Sequence, residues 1–79
     1  MRRLKLLWDF RGPVAKQTAI HHEIHLKEYA AAQSLTKPIT GTQELSEMHT
    51  VAFLVVDESE MPGVRDALKP HRGQLYEQN

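Results

Sequence analysis

Leu4, Leu6, Trp8 and Phe10 alternate with Lys5, Leu7 and Asp9, the two-residue period of a half-buried strand running from Arg3 to Phe10. Arg11-Gly12-Pro13 stops it, through glycine's backbone freedom and proline's fixed φ. From Val14 to about Ser34 the chain has no glycine or proline and is rich in Ala, Leu, Lys, Glu and Gln, which predicts one long helix. On its wheel Ala15, Ala19, His22, Leu26, Tyr29 and Ala30 form a packing side, and Lys16, Glu23 and Lys27 a polar strip. His21, His25 and Ala32 flank the packing side, while Ile20, Ile24 and Ala31 form a second apolar strip. Lys37-Pro38 returns the backbone to an extended path, and Ile39 to Leu45 reads as a weak strand with a turn at Ser46-Glu47. Met48 to Val56 is the strongest strand, its unbroken run from Val51 to Val56 suited to mid-sheet with both faces covered. An acidic breaker, Asp57 to Glu60, leads into a short helix from Met61 or Pro62 to Leu68, and Gln74 to Glu77 reads as a closing strand.

The order strand, helix, strand, strand, helix, strand predicts an α+β domain of the ferredoxin-like split arrangement. That is a four-stranded antiparallel sheet with two helices on one face. The two most apolar strands, first and third, fall in the central slots. Residues 1–79 form a single domain, because a second core would find too little apolar surface. Two features point to a homodimer. The long helix has two separated apolar strips, and one helical layer leaves the other sheet face open.

Charge narrows the partners. Ten Lys+Arg balance ten Asp+Glu, so the chain has no basic excess for nucleic acid. The basic-then-apolar opening is interrupted by Lys5 and Asp9, too charged for a secretion signal, and no apolar run is long enough to span a membrane. A soluble, cytoplasmic protein is expected. Cysteine is absent, which removes disulfides, thiolate ligands and cysteine nucleophiles.

Five histidines carry the remaining chemistry, three of them in His21-His22-Glu23-Ile24-His25. His21 and His25 stand one helical turn apart on one face, a half-site for a divalent transition metal that accepts imidazole nitrogen. His22, pointing more toward the sheet, His49 and His71 are candidate further ligand contacts, together with Trp8 and Arg11 around the Gly12-Pro13 turn. Asp9 and Arg11 are placed to pair at the strand end, and Arg11 beside a helix start suits an anion. Lys69-Pro70-His71-Arg72-Gly73 reads as a small basic loop facing an acidic ligand or a neighbour's Asp57–Glu60 segment. The plainer alternative makes all of these helix surface, solvated turn and subunit contact. The zinc-protease helix motif and the phosphate-binding loop are both missing, and Ser34, Ser46 and Ser59 lack the surroundings of a nucleophile.

Trp8-Asp9-Phe10-Arg11-Gly12-Pro13, Thr18-Ala19-Ile20-His21-His22, His25-Leu26-Lys27-Glu28, Glu47-Met48-His49 and Leu68-Lys69-Pro70-His71-Arg72-Gly73 together resemble a group of short, uncharacterised bacterial proteins. That resemblance covers most of the chain and implies no activity. By element order alone the chain is similar to the dimeric α+β barrels, a ferredoxin-like group including small monooxygenases and stress-responsive proteins. The expectation is a homodimeric binding module with a histidine-lined metal or small-ligand site. An enzyme with a histidine acid or base, and an interaction protein whose histidines tune assembly with pH, are the alternatives.

Overall fold

The chain builds a sheet of order β2-β3-β1-β4 in which every neighbouring pair is antiparallel, as described by a computed structural model for residues 2–77. Its elements are β1 (Arg3–Arg11), α1 (Ala15–Ala32), β2 (Ile39–Ser46), β3 (His49–Asp57), α2 (Met61–Leu68) and β4 (Arg72–Tyr76), with a 3-10 turn at Glu58–Glu60 before α2. β1 and β3 occupy the centre, as their apolar content requires. They pair along their whole length, from Arg3 opposite Asp57 to Arg11 opposite His49. This four-stranded, two-helix α+β arrangement is compatible with the ferredoxin-like plan.

Strand parity divides the side chains between two faces. Leu6 and Trp8 of β1 and Ala52, Leu54 and Val56 of β3 join Ala19 and Leu26 of α1 and Val64 of α2 in one buried cluster, so both helices lie on the same side. The wheel of α1 is as its sequence requires: Ala15, Ala19, Leu26 and Ala30 are buried, while Ile20 and Ile24 stay exposed. Trp8 anchors α2 to the sheet, its indole N–H donating to the Leu68 carbonyl at 2.9 Å. α1 stops in a Schellman turn, with Leu35 N–H on Ala30 O and Ser34 N–H on Ala31 O. Ser34 takes the left-handed conformation there, at φ 53°.

The opposite face is closed by the chain's own long side chains. Leu7, Val51 and Val55 lie on it, yet they are 5%, 1% and 0% exposed. Around them stand Lys5, with Nζ 4.3 Å from the Phe53 ring centroid, the Arg3–Asp57 pair at 3.0 Å, and a polar group centred on Asp9. Gly41 is fixed by the same packing, since a Cβ there would lie 2.5 Å from Cζ of Phe53. The apolar run of β3 thus finds its second cover within one chain, and an open sheet does not itself call for a partner.

Several boundaries differ from the sequence pattern by one or two residues: β1 runs on to Arg11, α1 ends at Ala32, and β3 is shifted by one residue to His49–Asp57. Val14 lies outside α1 and is 61% exposed. β2 extends to Ser46 through an irregularity between Glu44 and Ser46. β4 begins at Arg72, two residues earlier than its apolar content suggests, because Arg72 pairs with Leu7 in the ladder and its guanidinium is held by Asp9. Among the described residues no helix is long and apolar enough to cross a membrane.

Leu26 is fully buried between α1 and the sheet. Leu26→Ala should therefore lower unfolding free energy by about 2–5 kcal/mol, through lost transfer energy plus the cavity left behind, as read from urea midpoints at unchanged m-value.

Candidate functional site

The five histidines separate into three environments. His21 and His25 project from the exposed side of α1, with their Nε2 atoms 3.1 Å apart and their rings nearly perpendicular at 84°. His25 Nδ1 lies 3.3 Å from Glu28 Oε1. With the proton on Nδ1 of His25 facing the Glu28 carboxylate, the 3.1 Å contact is a hydrogen bond from His21 Nε2–H to His25 Nε2, and a metal ion held by both nitrogens would replace that proton. The arrangement follows from helix geometry: positions 21, 25 and 28 are spaced by four and three residues and stack along one side.

His22 turns the other way, into the sheet. Its ring lies 5.0 Å from Trp8 and 5.4 Å from Phe10, and its Nε2 is buried without a hydrogen-bond partner. Burial, reinforced by the neighbouring His25, His71 and His21 imidazoles, pushes its pKa below the ordinary 6.5. His71, just before β4, accepts the backbone N–H of Asp9 on Nδ1 at 2.9 Å. Its own backbone N–H donates to Leu7 O.

His49 lies on the other face of the sheet, where its Nε2 meets Asp9 Oδ1 at 2.7 Å. Arg72 grips the same carboxylate with two bonds, Nε to Oδ2 at 3.0 Å and Nη2 to Oδ1 at 3.1 Å. These bonds from Arg72, and after them the one from His49, outweigh burial and lower Asp9 from 3.8 to about 2. Asp9 is therefore ionised at neutral pH, and His49 must carry the proton on Nε2. The cluster ties β1, β3 and β4 together across three strands.

Several expected contacts are rearranged. Asp9 pairs with Arg72 and His49 instead of Arg11, because those two sit on neighbouring strands beside it while Arg11 is two residues along the same strand. Arg11 is exposed, and the adjacent Gly12 N–H is already used by Met48 O at 2.8 Å. Trp8 is a core residue, 3% exposed with its N–H satisfied. The Lys69–Gly73 segment is not a free basic loop, since Arg72 and His71 both attach to Asp9. The three-strand role of Asp9 was not visible in sequence, which marked it only by its period-two position and as a partner for Arg11 at the strand end.

Among the described residues no group of three or more His, Asp or Glu is placed to hold a metal ion. The His21/His25 pair therefore offers two donors of its own. Two open clefts also mark the surface. One, of about 460 Å³, has Leu4, Leu6, Met61 and Leu75 in its floor with Arg2 and Arg65 at its edge. The other, of about 430 Å³, runs along Lys27, Ala31, Leu35 and Pro38. Neither has a histidine in its wall. In comparison with known proteins, no family model matches this chain, nor does any curated protein or any solved structure.

Two pH dependences follow. The folded state holds His22 neutral more strongly than the unfolded chain does, so its stabilising share is complete above 6.5 and declines as pH falls below that value. In the presence of a chelator, the melting temperature of His22→Phe should fall less steeply with acidification below 6.5 than that of the parent. For Asp9 the folded carboxyl ionises at about 2 and the unfolded one near 3.8, so its contribution is present above 3.8 and lost as pH falls toward 2. Asp9→Asn should be destabilised at neutral pH, with the gap in urea midpoint closing across that acid window.

Proposed function

We propose that this chain is a small binding module of ferredoxin-like topology that takes up a divalent late transition-metal ion, such as zinc, through His21 and His25. The supporting observation is the 3.1 Å separation of the two Nε2 atoms. With bonds of 2.0–2.1 Å to each nitrogen, that separation, 3.1 Å, corresponds to an N–metal–N angle of about 95–102°, between the square and tetrahedral values. Both ligands rise from the middle of an 18-residue helix, so the backbone that carries them is ordered before the ion arrives. Glu28 behind His25 supplies the carboxylate that orients a metal-bound imidazole and makes it a better donor. The strand order read from its other edge, β4-β1-β3-β2, with β1 and β3 central, supports the topology.

An acid–base enzyme is the weaker reading. Asp9 and His49 do form a carboxylate–imidazole pair, but Arg72 occupies the same carboxylate, and neither cleft has a histidine in its wall.

Calorimetric titration of zinc chloride into untagged protein should give a saturable heat. His21→Ala and His25→Ala should each abolish it at the same concentrations. His49→Ala should leave it intact, because that ring lies across the sheet. Glu28→Gln should weaken it by roughly ten- to a hundredfold, the usual loss on removing a carboxylate behind a metal-bound histidine. No saturable heat from the untagged chain would overturn the proposal.

A further inference from the structure

We infer that the ion is shared between two copies of this chain, each contributing His21 and His25 to one four-imidazole site. The inference rests on the metal-binding reading above. Its starting point is an unfilled coordination shell. Imidazole-bound zinc is most stable with four ligands, and the chain presents two, with no third ligating side chain grouped with them among the described residues. The pair stands on the outward side of α1, at exposed positions, so a second protein surface can approach it.

A two-fold axis through the ion supplies the missing donors by the simplest symmetry, because one patch meets its own copy. The surroundings suit that contact. Ile20 and Ile24 precede the two histidines by one residue each, share their four-residue spacing, and are 43% and 49% exposed. With about 100° of rotation per residue, Ile24 lies about 60° around the helix from His21, at the edge of the contact that two α1 helices make when they cross at the ion, and part of its apolar surface leaves water there. On the same side of the histidines, one turn beyond Ile24, Glu28 of each copy stands behind its own His25. Four neutral imidazoles leave the dication uncompensated, and two Glu28 carboxylates bring the local charge to zero. Lys27, the nearest cation in sequence, is directed to Glu23 at 3.6 Å and so does not compete for Glu28.

The apolar part of this contact is small, chiefly Ile24 of each copy, and well short of a stable interface by itself. Association is therefore metal-dependent: monomer without the ion, dimer with it.

The test is sedimentation velocity of the full, untagged chain at tens of micromolar, with zinc stoichiometry measured on the same samples. In chelator the expected mass is 9.1 kDa. With half an equivalent of zinc the mass should double and one ion should be bound per two chains. Large zinc excess should return the mass toward that of the monomer, as each pair takes its own ion. His25→Ala should remain monomeric throughout, and Ile24→Glu should bind zinc but dimerise at least tenfold more weakly. One zinc per chain on a monomer at every ratio would overturn the shared site while leaving the metal-binding proposal standing. A dimer that persists in chelator, or in His25→Ala with zinc, would also overturn it. Absence of zinc binding would overturn both.

Discussion

The nine-residue antiparallel ladder between β1 and β3 is the constraint on which everything else rests. Side chains alternate along it, so a one-residue slip would exchange the two faces of the sheet. Leu6 and Trp8 would leave the helices, and Asp9 would be driven into the apolar layer. The register that buries Trp8 beside α2 is the same register that places Asp9 beside His49 and Arg72. Core packing and the polar cluster are consequences of one alignment.

That alignment also explains how a domain this small covers a central strand on both sides. The helices cover one face in the ordinary way. On the other, Lys5 lies over Phe53, Arg3 meets Asp57 and Arg72 reaches Asp9, and Leu7, Val51 and Val55 among them are buried. A small domain buries proportionately less surface than a large one, which gives such side-chain covering more weight here. The exposed apolar groups that remain are elsewhere, chiefly Ile20 and Ile24 on α1 and Val14, Leu45, Met48 and Leu75 near strand ends and turns.

The element order and the central placement of β1 and β3 were legible because period-two and period-3.6 patterns are written in apolar residues. The buried face of α1 was legible for the same reason, from Ala15, Ala19, Leu26 and Ala30. Helical spacing also gave the meeting of His21 with His25, since i and i+4 are neighbours whatever the tertiary fold. What escaped were contacts between distant segments. Nothing local marks Asp9 as a partner for residues 40 and 63 positions away, or Arg72 as part of a strand, because those pairings are created by the register of three strands. His49 falls on the far face for the same reason: one step of parity decides it.

The attachment of β4 has a dynamic meaning. Its five residues are mostly exposed, and it is held by one ladder to β1, by the grip of Arg72 on Asp9, and by His71 on the Asp9 N–H. Segments with few buried contacts open at the smallest free-energy cost. By this measure β4 is an edge strand whose local opening costs less than unfolding the whole domain. Each such opening removes His71 from the neighbourhood of His22 and the guanidinium from Asp9 together. Through β4 the two sides of the sheet are linked at one edge.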